Sequence, residues 1–318
     1  MRSWRLWLYL IPAAAFALLP LTPWGTSDNL NLGISLFIVA GLASSWNILA
    51  GLVGRVNLGH VAFFGLGSLA TRQLWLVHEW AFAPAFLAGG LLAAVVAILV
   101  GIPALRLKGI YFSVGTLALA EALRLTVSTN LPRISRLPGP MLREYDLTPR
   151  YYLCFGVLLL IVVTVFWLRR SKLGLGMIAV REDAEAARSV GVNVLWQSLV
   201  AFVLSAFFAG LLGGTFAYFH LSYYPSFTFG PVWTFDALLV TFIGGIGTIG
   251  GPLIGAVFFV LLRDVLASNL VNVHLIVFGL IFIFVVLVLP GGIVQITERW
   301  RWFSPHSKNV VSKEKVVT

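Results

Sequence analysis

The sequence predicts an all-α polytopic membrane protein with about ten membrane segments, some broken or re-entrant, and both termini in the cytoplasm. Composition is the first reason: 59% of the 318 residues are hydrophobic and 11% are charged, whereas soluble domains carry roughly 45–50% and about 25%. The second reason is the length of the apolar runs, since Phe82–Leu105 contains no charged residue. Lipid must solvate most of such a surface, which excludes a water-soluble globular protein.

Ten apolar segments can be read along the chain. They lack the alternating pattern of a membrane barrel, so we interpret them as helices. At roughly 20 residues per crossing, the length leaves no room for a substantial soluble domain. We therefore assign residues 1–298 to a transmembrane domain and residues 299–318 to a basic cytoplasmic tail. The predicted segments are Leu6–Pro23, Leu30–Leu52, Leu58–Leu76, Phe82–Leu105, Ile110–Thr129, Tyr151–Leu168, Leu195–His220, Trp233–Gly247, Ile249–Arg263 and Val273–Leu289.

Basic residues determine the predicted orientation. The first segment resembles a signal peptide, but the rest of the chain is also embedded, so we interpret it as an uncleaved helix. With the N-terminus in the cytoplasm, most Lys and Arg residues fall on the cytoplasmic side, as the positive-inside rule requires. They occur singly or in pairs at the ends of apolar runs rather than in a patch, so we expect no nucleic-acid partner. These cytoplasmic residues are Arg2, Arg5, Arg55, Arg106, Lys108, Arg169, Arg170, Lys172, Arg181, Arg188, Arg299, Arg301, Lys308, Lys313 and Lys315.

The stretch Trp233–Arg263 determines the number of crossings. A single crossing there would send the next segment outward and leave the basic tail outside. Two passes, or one re-entrant hairpin bent at Gly244–Gly251, keep the tail in the cytoplasm. Both alternatives remain open from the sequence.

Three loops have distinctive compositions. The cytoplasmic loop Arg169–Val194 alternates charged and small residues, which favours a docking surface for another protein. The external loop His220–Val232 has several aromatic residues and no acidic residue, Lys or Arg, a composition typical of an interfacial cap. The loop Asn130–Arg150 is proline-rich, and we expect it to be external and irregular.

Common catalytic motifs are absent from the sequence. It has no GxxxxGK[ST] phosphate loop, so we do not expect this chain to bind and hydrolyse ATP in the P-loop manner. It has no HExxH or GxSxG motif, and its five histidines are scattered. The single cysteine, Cys154, excludes an internal disulfide and a thiolate metal cluster. We therefore expect neither an enzyme nor a cofactor or metal bound by this chain.

Glycine clusters interrupt one apolar segment in each half of the chain. A glycine in a helix interior costs about 1 kcal/mol relative to alanine, and breaks at membrane depth occur only where freed backbone groups face protein or a cavity. Paired breaks are typical of a transporter's central pathway, whereas close packing through small residues is the alternative. The clusters comprise Gly51, Gly54, Gly59, Gly65 and Gly67, and then Gly244, Gly245, Gly247, Gly250, Gly251 and Gly255.

Polar side chains beside the breaks are candidate pathway residues. Asn57 and His60 lie one helical turn apart, shortly after Trp46 and Asn47. Their amide and imidazole groups suit hydrogen bonds to a polar solute, or they cap the broken helix ends. The candidate pathway set is Trp46, Asn47, Asn57, His60, Thr116, Glu121, Gly244 and Gly245.

Two acidic residues fall inside apolar segments. A charge at mid-bilayer costs around 2.5–3.5 kcal/mol on insertion scales, so such residues usually face the bundle interior. For Glu121, the alternative to a substrate contact is a pair with Arg124 within the helix, near the outer interface. Asp236, near a helix start, is placed to favour that helix dipole.

The cytoplasmic stretch Ser171–Val194 is predicted to contain a short surface helix over Ile178–Val190. Acidic residues stand in its first half, two alanines permit close approach by another protein, and a glycine is placed to end it. An ordinary interfacial amphipathic helix is the alternative. The residues concerned are Glu182, Asp183, Glu185, Ala186, Ala187 and Gly191.

Several blocks resemble the LivM family of branched-chain amino-acid ABC-transporter permeases. Glu185, Ala186, Ala187 and Gly191 match the EAAxxxG signature that many ABC-importer permeases present to their ATPases. Five blocks then follow the family order, and together they are far more specific than any one alone. They are WNILAGLVGRVNLGHVAFFGLGSLA (Trp46–Ala70), LRLKGIYFSVGTLALAE (Leu105–Glu121), AVREDAEAARSVGVN (Ala179–Asn193), GGIGTIGGPLIGA (Gly244–Ala256) and LPGGI (Leu289–Ile293).

The resemblance implies a permease subunit of the bacterial inner membrane that forms half of a pathway for branched-chain or other hydrophobic amino acids. It implies as partners a homologous second permease, two cytoplasmic ATPases that bind ATP-Mg, an extracytoplasmic solute-binding protein and the lipid bilayer. It also implies an ATPase-coupling role for Arg181, Glu182, Asp183, Glu185, Ala186, Ala187 and Gly191.

Two departures from the family pattern bear on the substrate. Asn57 stands where the family commonly has Ser, and a GGxxG-like element is missing from Ser128–Thr148. Similar blocks occur in permeases for urea or short amides, which are the alternative cargo. Two other classes remain: a proton- or sodium-driven carrier, which needs an essential intramembrane carboxylate, and a passive channel or structural subunit.

Overall fold

The structure, a computed structural model, describes residues 12–130 and 135–269, together with residues 279–280, 283, 287 and 291–294. Helices dominate these residues, as predicted. A two-stranded antiparallel sheet pairs β1 (Ser135–Arg136) with β2 (Ser222–Tyr223). The helices are α1 (Pro12–Leu21), α2 (Ser27–Val53), α3 (His60–Leu76), α4 (Phe82–Ala104), α5 (Ile110–Asn130), α6 (Gly139–Arg143), α7 (Leu147–Leu168), α8 (Lys172–Glu182), α9 (Ala184–Ser189), α10 (Val194–Phe219), α11 (Pro225–Thr228), α12 (Val232–Gly244) and α13 (Gly251–Asn269).

Six stretches of the described chain are long and apolar enough to cross a membrane. They confirm an all-α polytopic membrane protein. The predicted tenth segment, Val273–Leu289, lies largely outside the described residues, as do residues 1–11 and the tail 299–318; the count of ten and the placement of the termini therefore stay predictions. The six stretches are Ser27–Val53, Phe82–Ala104, Ile110–Asn130, Leu147–Leu168, Val194–Phe219 and Pro225–Gly244.

The bundle is centred on α2 and α10. Helix α10 packs against α2, α3, α4 and α7, and α2 packs in addition against α7, α12 and α13. Arg72 connects α3 to the C-terminal end of α10. Its Nη1 donates to the carbonyls of Ala217 (2.8 Å) and His220 (3.1 Å). Because the last carbonyls of a helix have no partner within it, this buried arginine completes the C-terminal turn of α10.

Helices α12 and α13 form a hairpin where the sequence predicts two apolar segments separated by a glycine cluster. Gly244 faces Gly251 and Val240 faces Gly255, so α12 and α13 are antiparallel. A Cβ at Gly244 would collide with the carbonyl of Gly251, and the turn uses positive φ at Gly245 and Gly247. Helix α12 has 13 residues, about 20 Å, and it is the second part of the apolar stretch Pro225–Gly244, which is long enough to cross a membrane. Two antiparallel helices are thus joined at the predicted bend, and whether both cross the membrane or form a re-entrant hairpin stays a prediction.

The two loops predicted to be external are more ordered than the sequence indicates. The expectation that Asn130–Arg150 is irregular is wrong for its described part, which contains β1 and α6. Its backbone finds partners in the following loop, where Leu137 N donates to Leu221 O at 3.1 Å. Within the aromatic loop, Tyr223 and Phe229 are buried against the bundle. Proline content therefore does not prevent order here, because backbone groups that leave water need partners.

Candidate pathway breaks and coupling segment

The first glycine cluster produces a non-helical stretch, residues 54–59, between α2 and α3. His60, the first residue of α3, approaches Ser45 of α2, with Nε2 and Oγ 3.0 Å apart. Ser45 lies eight residues before the end of α2, which corresponds to about 12 Å along the helix. The chain therefore doubles back alongside α2 before α3 begins.

Side chains from α2 and α5 satisfy the backbone of this stretch. Trp46 Nε1 donates to Asn57 O at 2.8 Å, and Ser113 Oγ donates to Val56 O at 2.7 Å. Thr116 Oγ1 accepts from Leu58 N at 3.2 Å. These bonds replace the helical hydrogen bonds that the break removes, because buried backbone groups need partners.

Asn57 and His60 are almost completely buried within this arrangement. The Asn57 Oδ1 atom accepts from Gly59 N at 2.9 Å, which is a capping contact. Within the described part of the chain, Asn57 Nδ2 and His60 Nδ1 are buried without a hydrogen-bond partner. An unsatisfied buried polar group costs about 1–3 kcal/mol, so a conformation that exposes these atoms to a polar solute or water would regain that free energy.

The second break meets α2 and α8 at what we call the inner junction: Asn47, Gly51, Gly247, Arg169 and Arg181. Asn47 Oδ1 accepts from Gly247 N at 2.9 Å, and its Nδ2 donates to Thr248 O at 2.8 Å. Arg181 Nη1 donates to Gly51 O at 2.7 Å, and Arg169 Nη1 donates to Gly247 O. The junction thus joins a predicted pathway residue, Asn47, to a predicted coupling residue, Arg181.

The predicted helix over Ile178–Val190 is wrong as a single element, because the chain breaks at Asp183 into α8 and α9. Asp183 is extended (φ −157°, ψ 111°), and its Oδ1 accepts from Glu185 N at 2.8 Å and Ala186 N at 3.0 Å. Asp183 therefore caps the N-terminus of α9. The hydrogen bonds from the Ala186 and Glu185 amides lower the pKa of the Asp183 carboxyl from its ordinary value.

Gly191 ends α9, as the sequence predicts. It adopts a left-handed conformation (φ +86°), and Val192 N donates to Ala187 O at 3.0 Å. Gly191 N donates to Arg188 O at 3.0 Å, which completes a Schellman motif. Ala186 is exposed whereas Ala187 is buried, so only one of the two alanines is accessible. We call the exposed set Glu182, Asp183, Glu185, Ala186, Arg188 and Val190 the coupling surface.

The capping role of Asp183 gives a pH-dependent prediction. Because its pKa is lowered, its stabilisation of α9 is complete above the ordinary aspartate pKa of about 3.9. This stabilisation is lost as the pH falls through the lowered value. Asp183→Ala should speed hydrogen exchange at the Glu185 and Ala186 amides, measured by mass spectrometry at neutral pH, while Asp183→Asn retains most protection. Equal exchange in the alanine variant and the unmodified protein would contradict the cap.

A cleft of about 690 Å³ connects the first break to the coupling segment. Its walls come from residues 53–56, 108–110, 112–113 and 180–185, with Arg188 and Val194. The charged residues predicted to be cytoplasmic are thereby brought to one end of the bundle, opposite β1 and β2. Those lining the cleft are Arg55, Lys108, Arg181, Arg188, Glu182, Asp183 and Glu185.

The intramembrane charges occupy other surfaces. Glu121 Oε2 accepts from Arg124 Nε at 2.8 Å, so the pair within one helix is observed. The pair lies near the middle of α5, because Glu121 is the twelfth of its 21 residues. Asp236 lies 3.9 Å from Arg263 of α13, an ion pair within the hairpin that the sequence did not indicate.

The predicted site residues fall into separate groups. Trp46, Asn57, His60 and Thr116 meet at the first break, while Gly244 and Gly245 lead into the turn that Asn47 binds. The sequence did not indicate that Arg169 contacts that turn through Gly247 O. The pattern of basic residues identified Arg169 only as a charge that sets the orientation of the chain. Ser45 and Ser113 were missed as well, since a serine in an apolar helix carries no distinctive pattern.

Comparisons with known proteins identify the family. The family described as branched-chain amino acid transport system / permease component matches residues 29–286. The high-affinity branched-chain amino acid transport system permease protein LivM of Escherichia coli (strain K12) is 29% identical over 307 residues, covering 86% of this chain and 71% of that protein. LivM of Salmonella typhimurium (strain LT2) is 29% identical over 296 residues, with 83% and 68% covered.

No solved structure shows significant similarity to this chain. The family match nevertheless covers most of the sequence, and the six apolar helices agree with it. The chain therefore belongs to the family of branched-chain amino acid transport system permease components, and it is a multi-pass protein of the bacterial inner membrane.

Proposed function

We propose that this chain is the permease subunit of an ABC importer and forms half of a pathway for branched-chain or other hydrophobic amino acids. ATP-Mg is bound and hydrolysed on two cytoplasmic ATPase subunits. A homologous second permease and an extracytoplasmic solute-binding protein complete the assembly. Urea or a short amide is the alternative cargo. The observation that carries the proposal is the exposed coupling surface of α8–α9, which is tied directly to the inner junction.

The inner junction supplies a physical route for coupling. Arg181, at the end of α8, holds the carbonyl of Gly51 near the end of α2. Arg169, just before α8, holds the carbonyl of Gly247 in the hairpin turn. A docked ATPase that displaces α8 therefore also moves α2 and the α12–α13 hairpin. In this way a small shift at the interface becomes a rigid-body motion of membrane helices.

The family and its named relatives support the choice of cargo. Both LivM proteins are named for branched-chain amino acid transport. The first break offers neutral polar atoms, Asn57 Nδ2 and His60 Nδ1, that have no partner in the described chain. An amide donor and an imidazole suit the polar head of an amino acid or an amide, so they fit both the main proposal and its alternative cargo.

Ala186→Asp tests the docking proposal. Ala186 is exposed, so an added carboxylate leaves the fold intact but places a charge within the ATPase contact. We expect ATP-dependent uptake to fall about tenfold, which corresponds to about 1.4 kcal/mol of docking free energy. Co-purification of the ATPase, followed by mass spectrometry, should fall in parallel while the amount of inserted protein stays unchanged.

Ala81→Asp is the matched control, because Ala81 is also exposed but precedes α4 at the opposite end of the bundle. It should leave uptake and co-purification unchanged. Ala187→Asp is unsuitable, since Ala187 is buried and a charge there would disturb folding. Normal uptake by the Ala186→Asp protein would refute the docking assignment.

A further inference from the structure

The cleft between the first break and the coupling segment, which we call the inner cleft, has walls that suit a small zwitterion. Its volume of about 690 Å³ lies within the range of small-molecule sites, roughly 300–1,000 Å³. Four cationic and three acidic side chains line it, beside apolar residues such as Val53, Ile110, Phe112 and Val180. A polyanion such as phosphate would be repelled by the carboxylates, whereas a zwitterion finds a partner for each of its charges.

Three of these charged side chains are available for a ligand. Within the part of the chain that the structure describes, the side chains of Lys108, Glu185 and Arg188 make no hydrogen bond or ion pair, and all three residues are exposed. The other four charged side chains are already held; Arg55 Nη1, for example, donates to Leu105 O at 2.9 Å. Two cations and one carboxylate can therefore bind a ligand without the loss of an existing contact.

The inner cleft and the docking contact lie on different sides of α9. Ala184, Glu185 and Arg188 line the cleft, and their spacing places them on one side of the helix. Ala186 and Val190 are exposed but do not line the cleft. An ATPase bound over Ala186 therefore leaves the cleft accessible.

The cleft separates elements that are not bonded to each other. The start of α5 forms one wall, and the end of α8 with α9 forms another. Among the described residues, no hydrogen bond or ion pair joins α5 to α8 or α9. A ligand that binds both walls would connect them and stabilise one position of α8, because a ligand favours the conformation to which it binds more tightly.

We propose that the inner cleft binds a free amino acid with an apolar side chain from the cytoplasm, which is the product of transport, and that this binding inhibits further uptake. The carboxylate of the amino acid pairs with Lys108 and Arg188, and its ammonium group pairs with Glu185. Its apolar side chain lies against Ile110 and Phe112. Because the proposed coupling requires α8 to move, a ligand that joins α5 to α9 opposes transport. The inference rests on the proposed function, which supplies the cargo and the direction of transport.

Uptake into preloaded vesicles tests the inhibition. Vesicles that contain the complete importer and enclosed ATP are loaded with unlabelled leucine or left without it, and the initial uptake of radiolabelled leucine is measured. Internal leucine should slow uptake several-fold. In Lys108→Gln, the internal leucine concentration for half inhibition should rise about tenfold, as expected for the loss of one hydrogen bond to a charged group. Uptake into vesicles without internal leucine should be unchanged in this variant.

Arg106→Gln is the control, because Arg106 is also exposed in the same loop but does not line the inner cleft. Its inhibition by internal leucine should equal that of the unmodified importer. ATP-dependent uptake with equal inhibition in Lys108→Gln and the unmodified importer would overturn the cleft proposal alone. Absence of ATP-dependent uptake by the unmodified importer would count against the proposed function.

A labelling experiment measures binding without transport. Ile110 lines the inner cleft and is 72% exposed, so Ile110→Cys should react with a water-soluble thiol reagent in the complete complex. Leucine should slow this reaction several-fold, whereas inorganic phosphate should not. Arg106→Cys should react equally with and without leucine. The background reaction is low because Cys154, the single cysteine in the sequence, is buried.

Four results of the labelling experiment would overturn the proposal. Equal labelling of Ile110→Cys with and without leucine would exclude an amino acid from the inner cleft. Protection by phosphate instead of leucine would identify an anion site. An unreactive Ile110→Cys in the complete complex would show that the docked ATPase fills the cleft. Slower labelling without leucine in vesicles that contain phosphatidylethanolamine than in vesicles of phosphatidylglycerol alone would assign the cleft to a zwitterionic lipid headgroup.

Discussion

Arg181→Gln is expected to uncouple ATP hydrolysis from transport while the complex still assembles. The Arg181 guanidinium joins the coupling segment to α2 through its 2.7 Å bond to Gly51 O. A hydrogen bond from a charged group contributes about 1.5–3 kcal/mol, so its loss loosens the junction without removing the docking surface. Uptake in reconstituted vesicles should fall about tenfold, a change of about 1.4 kcal/mol, while ATP hydrolysis continues. The number of ATP molecules consumed per solute should therefore rise.

Two further variants separate this role from a general effect of charge. Arg181→Lys keeps the charge but replaces a forked donor by a single ammonium group, so its ATP-to-solute ratio should be intermediate. Arg106→Gln removes an exposed charge from the same end of the bundle and should behave like the unmodified protein. An unchanged ratio in Arg181→Gln would show that the junction does not transmit the motion.

Gly244→Val is expected to prevent the α12–α13 hairpin from closing. A Cβ at Gly244 would overlap the carbonyl carbon and oxygen of Gly251, and both are backbone atoms that cannot rotate away. Overpacking of this kind costs typically about 1–3 kcal/mol, and sometimes more. We expect a lower thermal midpoint in mild detergent, measured by size-exclusion chromatography after heating, and loss of uptake.

Gly156→Val is the control for this substitution. Gly156 lies within α7, and a Cβ there meets no described atom within 4 Å. Valine should therefore change the midpoint far less at this position. If Gly244→Val and Gly156→Val have the same thermal midpoint and the same uptake, the close approach of α12 and α13 does not stabilise the protein.

The sequence predicts the spanning helices well because a helix in contact with lipid needs a long run of apolar residues. The bounds of α4 and α5 differ from the predicted segments by one residue, since polar loops adjoin apolar runs directly. The two breaks were also predicted, because glycine density changes sharply there. The hairpin between Gly244 and Gly251 follows from the same signal.

Contacts that depend on one side chain or on distant residues were not predicted. The division of α8 from α9 depends on the Asp183 carboxylate bonding two following amides, whereas hydrophobic periodicity favours a continuous helix. The inner junction joins Gly51 to Arg181, 130 residues later, so no local pattern indicates it. Glu121 and Arg124 are an exception, since a three-residue spacing on a helix predicts their pairing.

Reconstituted uptake tests the central claim most directly. Vesicles should contain this chain, its second permease, the ATPases and the solute-binding protein, with a radiolabelled branched-chain amino acid as cargo. The proposal predicts uptake that requires ATP on the ATPase side and persists after proton and sodium gradients are abolished. Uptake without any ATPase, driven by a proton or sodium gradient and lost in Glu121→Gln, would contradict it and identify an ion-driven carrier.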